Sequence, residues 1–169
     1  MKNRRIWVAM AVIGVVIARM AVPSKVSAAD GGPIVVVVNN SNPIENLSVA
    51  DLRKIFLSDR SRWDTGKAVA PVIVAAGSPE RSAFLKIVCS MSDAEFNKYF
   101  VQAAFTGKDV TPPKEVSSSR DVKATVAASP GAIGFVRALD FHGDGSDGGV
   151  KAIKVDGMAA SDSGYKLKM

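Results

Sequence analysis

The chain has 169 residues, 47% of them hydrophobic and 22% charged, with a formal net charge of +6, one cysteine and one histidine. A single cysteine excludes an intrachain disulfide, and a single histidine, His142, leaves little from which to assemble a nucleophile and its base. The charge excess does not describe a nucleic-acid surface, because Lys2, Arg4, Arg5, Arg19 and Lys25 all fall within positions 1–28.

Positions 1–28 read as a targeting segment. A basic start is followed by an apolar run over 6–17 and then by Val26-Ser27-Ala28, the small-residue pattern of a signal-peptide cleavage site. The run is shorter than the ~20 apolar residues a membrane span requires. Cleavage after Ala28 is expected, which sends the chain from position 29 onward to the periplasm or out of the cell, its basic and acidic residues then nearly in balance. What remains is long enough for one domain with a core of its own. The expected division is a signal peptide at 1–28, a domain over 29–157 and a flexible tail over 158–169.

From there the chain alternates strand and helix signals. The run PIVVVVNN at 33–40 is continuous and β-branched, as in a strand buried on both faces. Ser48, with Asp51 three positions on, opens a helix whose inner face is Leu52, Ile55 and Phe56. An Asp-Thr-Gly turn leads into a second strand over 69–75. Ser78 is placed to cap the next helix, and Pro79 suits its first position, where the absent N–H is not needed. Phe84, Ile87, Val88 and Met91 then predict one continuous apolar stripe, with Cys89 as a small packed hydrophobe.

Ser92 and Glu95 open a third helix that turns Phe96, Tyr99, Phe100 and Ala103 inward. Two prolines and a serine run predict a loop without regular structure over 105–119. A serine-capped helix over 119–128 stops before Pro130. Glycines mark 131–136 as a short strand approached closely by other backbone. A glycine-rich turn follows, then an edge strand over 150–155 and a frayed tail after Gly157.

Catalytic motifs are not in evidence. No G-x-S-x-G elbow accompanies His142, which lies in a Gly/Asp loop, so the protein is read as a non-enzyme. Asp140-x-His142-x-Asp144-Gly145 has the outline of a calcium loop, but Lys151 stands where a bidentate glutamate belongs, so no metal or other cofactor is expected. The pair Gly77-Ser78 is different. A strand, a glycine turn and a helix start present free N–H groups and a hydroxyl to an anion, and Arg81 and Ser82 lie close enough in sequence to add donors. Glu80 opposes them with a negative charge in the first turn.

Three segments together resemble the substrate-binding proteins of phosphate ABC importers, in the type 2 periplasmic-binding-protein superfamily. They are LSVADLRKIFLSDRSRW at 47–63, the strand into Gly77-Ser78, and SPGAIGFV at 129–136. Their order and spacing agree over 34–136. The resemblance implies an α/β fold, a single lobe of the type 2 periplasmic-binding-protein kind with a mixed sheet flanked by helices. Family members of full length clamp phosphate between two lobes; here the counterpart of the first lobe's N-terminal half is expected to be absent. The family's ligand segment is Arg followed by Asp-Gly-Ser-Gly-Thr. Matching Gly77 and Ser78 leaves Val74, Ala76, Pro79 and Glu80 at the remaining positions, so only Gly77 and Ser78 carry over.

The resemblance implies non-catalytic binding of phosphate or a related small oxyanion at Gly77, Ser78, Arg81 and Ser82, with a membrane transporter or another periplasmic protein as partner. The alternative is an interaction module that has kept the lobe and lost the ligand. A lobe standing alone exposes the seam its partner would cover, so a homodimer is also among the expected assemblies.

Overall fold

The computed structural model describes residues 31–143 and 147–169. The expected signal peptide lies outside the described residues, as do Asp144 and Gly145 of the calcium-like loop. The strands are β1 (Ile34–Asn39), β2 (Asn46–Leu47), β3 (Ala70–Val74), β4 (Lys114–Val116), β5 (Ala132–Arg137), β6 (Val150–Ala152) and β7 (Lys154–Val155). The α-helices are α1 (Val49–Phe56), α2 (Pro79–Phe84), α3 (Asp93–Phe105) and α4 (Ser119–Ala128).

Five strands form one mixed sheet in the order β4-β3-β5-β1-β6. Every residue of β1 is buried, as its β-branched run requires, and β1 pairs antiparallel with β5 on one side and β6 on the other. β3 lies parallel to both β5 and β4. Successive side chains of β5 then show what covers each face. A Cβ built on Gly134 would fall 2.6 Å from Val122 Cγ1, so α4 packs directly on the sheet there, and any side chain at 134 would push it off. The next residue, Phe135, turns to the opposite face and stacks on Phe84 with centroids 3.9 Å apart, and Phe56 meets Phe84 edge-on at 4.7 Å. α1 and α2 therefore cover the face that α4 does not.

The helix starts follow the sequence closely. Ser48 with Asp51 and Ser92 with Glu95 form reciprocal capping boxes, and Ser118 caps α4. Cys89 is fully buried, and burial pushes its thiol up to about 11, which suits a packing residue rather than a nucleophile.

Four expectations need correction. The segment 105–119 is not all loop: Pro112 and Pro113 stop just short of β4, leaving Lys114–Val116 free to pair with β3. The stripe expected from Phe84 to Met91 is broken by a π-helical turn, Leu85–Cys89, which closes with Met91 N–H donating to Leu85 O at 3.2 Å. Its extra residue shifts the buried set to Phe84, Leu85, Val88 and Cys89, with Ile87 and Met91 half-buried. The strand expected over 150–155 divides at Ile153, and β7 leaves the main sheet to pair parallel with β2. Finally, the tail is not frayed. Leu167 is fully buried, Leu167 O accepts from Ile34 N–H at 2.8 Å, and the Tyr165 hydroxyl donates to Ile34 O at 2.8 Å.

Candidate functional site

β3, β4 and β5 run parallel, so their carboxyl ends lie along one edge of the sheet. From β3 the chain leaves for α2 on one face; from β4 it leaves for α4 on the other. Loops that diverge in this way open a crevice between the strand ends, the usual ligand position in open α/β sheets. A cleft of about 720 Å³ lies there, with Val74, Ser78 and Glu80 from the first loop, residues 117–121 and Lys123 from the second, and Arg137 and Asp140 from the end of β5.

Gly77 makes the turn into this cleft at a φ of +87°, a conformation strained for any residue with a Cβ. Ser78 follows at the N-cap of α2 with extended backbone, but its hydroxyl does not make the expected cap bond. The Ser78 Oγ is instead buried without a hydrogen-bond partner at the cleft wall. Pro79 occupies the first helical position, and Glu80, only 6% exposed, also lines the cleft.

Arg81 and Ser82, the other two expected contacts, are both engaged with Asp93, Arg81 inside the fold and Ser82 at its surface. Arg81 is 1% exposed. Its Nε pairs with Asp93 Oδ1 at 2.6 Å, and its Nη1 donates to Glu115 Oε2 at 2.7 Å and to Val74 O at 2.9 Å. Nη2 reaches Asn97 Oδ1 at 3.3 Å, and the guanidinium lies 5.9 Å from the Phe96 ring centroid. The Ser82 hydroxyl donates to the same Asp93 at 2.7 Å. A guanidinium held by two carboxylates ties α2 to α3 and β4; it does not line the cleft.

The cleft's own charges come from further along the chain. Arg137 pairs with Asp140, Nε to Oδ2 at 2.9 Å. Burial raises the Asp140 carboxyl, but hydrogen bonds from Arg137 and Ser119 outweigh it and hold the group below its usual value. Lys123 donates to Asp140 O and to Asp147 Oδ1, both at 2.6 Å. Ser118 is occupied with its cap, donating to Asp121 Oδ2 at 2.8 Å. Arg120 is exposed at the rim, with no ion pair among the described residues.

His142 folds back over Asp147, whose Oδ2 accepts from the N–H groups of His142 and Gly143 at 2.8 and 2.9 Å. No cluster suited to a metal ion occurs among the described residues. Burial works to raise the Asp147 carboxyl, yet the Lys123 ammonium and the two N–H donors prevail and hold it far below the carboxylate range. With the folded pKa depressed, the stabilisation is complete above about pH 4 and disappears as the pH falls further toward the folded value. An Asp147→Asn variant should therefore be less stable at neutral pH and lose less stability than the parent between about pH 4 and 2, as read by denaturant titration followed by circular dichroism. Parallel pH profiles would contradict this role.

Sequence reasoning places Gly77 and Ser78 from local pattern but passes over residues 117–123 and Arg137. One signal is present: a serine run immediately before a helix, following a segment able to pair parallel with the strand before Gly77.

The architecture, a five-stranded mixed sheet between helices, matches part of several larger solved proteins. Solved structures that share it include proteins described as phosphate transport receptors and phosphate ABC transporter substrate-binding proteins. An ABC-type phosphate transport receptor from Vibrio cholerae superposes with a TM-score of 0.60 at 22% identity, over 76% of this chain and 48% of its own. PstS from Borrelia burgdorferi gives 0.61 at 13% identity, over 80% and 54%. A Clostridium perfringens protein assigned as a phosphate ABC transporter substrate-binding protein, solved with phosphate bound, gives 0.59 at 23% identity, over 76% and 46%. The chain thus spans about half the length of these proteins. At such identities the likeness establishes the fold. No protein-family model matches the sequence.

Proposed function

We propose that the chain is an exported, non-catalytic solute-binding domain that holds phosphate or a related small oxyanion in the cleft at the ends of β3, β4 and β5. The observation that carries this reading is the Ser78 hydroxyl, buried without a partner where the chain turns from β3 into α2. Leaving a buried hydroxyl unpaired costs about 1–3 kcal/mol, which a ligand oxygen offsets. The N-terminus of α4 faces the same space and favours negative charge, with Arg120 at the rim. Export rests on the basic and apolar pattern of positions 1–28. No helix among the described residues is long and apolar enough to cross a membrane. A membrane transporter is the partner such a domain would serve.

Phosphate at 100 times its dissociation constant should stabilise the protein by about 2.7 kcal/mol, visible as a rise in melting temperature. Ser78→Ala should remove most of that rise while leaving the unliganded melting temperature within about 2 °C of the parent. Failure of phosphate, sulfate and arsenate alike to shift the melting temperature would overturn the assignment.

That failure would favour the second reading, a protein-docking role. Its supporting observation is Leu139, 68% exposed at the cleft, together with the engagement of Arg81 and Ser82 elsewhere. Light scattering would show whether the partner is a second copy.

A further inference from the structure

We propose that the solute carries a cationic amine beside its oxyanion, so that the cleft selects a small zwitterion over a simple anion. This rests on the oxyanion reading above and narrows it. The unequal state of the cleft's charges points to it. Arg137 and Lys123 are each paired with a carboxylate, and Arg81, the cation adjacent to Glu80 in sequence, points instead to Asp93 and Glu115.

Glu80 is left without hydrogen bond or ion pair among the described residues, although it is only 6% exposed and opens onto the cleft. The Glu80 side chain is packed at the cleft wall with its carboxylate open to the cleft, and a second anion placed beside it meets repulsion. An ammonium placed there does the reverse: it supplies donors to Glu80 and neutralises it. Ser78, separated from Glu80 only by Pro79, presents the unpartnered hydroxyl, and the start of α4 with Arg120 offers positive potential for the oxyanion. Donors on one side and an acceptor charge on the other describe a ligand with both signs on a short frame, of the aminoalkyl phosphonate or phosphate ester class.

Two probes of nearly equal shape isolate the amine: 2-aminoethylphosphonate and propylphosphonate, which replaces the ammonium by a methyl. Calorimetric titration of the whole chain should give about tenfold or tighter binding for the amine, the scale of a charged hydrogen bond. In Glu80→Gln, checked for native circular dichroism, the two affinities should come within about twofold of each other. Equal affinities in the parent protein, or an amine preference that survives Glu80→Gln, would overturn the proposal while leaving the oxyanion reading intact. Absence of binding by both phosphonates and by inorganic phosphate would overturn the two together.

Discussion

Arg81→Ala is expected to lower the melting temperature by about 10 °C, from a loss near 3 kcal/mol. Arg81 is the largest of the fully buried side chains, so its removal opens a cavity as well as breaking an ion pair. Two circumstances limit the loss: the side chains of Asp93 and Glu115 are 25% and 54% exposed, so water can take up part of the charge of each once the guanidinium has gone. The Val74 carbonyl, at the end of β3, has no such recourse. Arg81→Lys should recover only part of the stability, because an ammonium cannot fork to Asp93, Glu115 and Val74 at once. Differential scanning calorimetry of both variants measures this directly. In Arg81→Lys the shift produced by phosphate should persist, since the guanidinium does not line the cleft; its loss would return Arg81 to the ligand site.

Phe84→Ala should have the larger effect on stability, about 4 kcal/mol. Phe84 is fully buried between Phe56 and Phe135, edge-on to the first and stacked on the second, and the space it leaves is bounded by rings already held by strand and helix. Collapse into that space is therefore limited. Phe84→Leu, which leaves a smaller hole, should cost less than half as much. Urea unfolding would measure both, with unchanged m-values showing that the native fold persists. A cost for Phe84→Ala below about 2 kcal/mol would mean that α2 and the sheet move together freely, contrary to the packing described.

The parts of this fold that can be read from sequence are those decided locally. Ser48 with Asp51 and Ser92 with Glu95 announce helix starts because both partners of each bond lie within one turn. The β1 run is equally plain, since a strand buried on both faces has no polar alternation to keep. β4 is the contrary case. A short segment after two prolines carries almost no signal, and only β3, far back along the chain, makes it a strand. Tyr165 and Leu167 likewise look like a tail until Ile34 is placed beside them.

The candidate site divides along the same line. Gly77-Ser78 is a local pattern and is legible, but the fate of Arg81 depends on Asp93 and Glu115, which approach from α3 and β4. A helix start rich in donors looks ready for an anion whether or not its arginine is already committed. Glu80 is visible too, as a charge at odds with a simple anion, and its place on the cleft wall, with no ion pair among the described residues, is what the three-dimensional arrangement adds.

The π turn at Leu85–Cys89 sets the spacing between Arg81 and Asp93 as a vernier sets a scale. Deleting one residue within it would restore α-helical winding and turn the chain leaving toward α3 by about 100°. The start of α3 would shift, and Asp93 would leave both Arg81 and Ser82, while Glu115, fixed by the pairing of β4 with β3, would keep its hold on Arg81. An indel at this single turn thus reaches the buried guanidinium without changing any residue that lines the cleft.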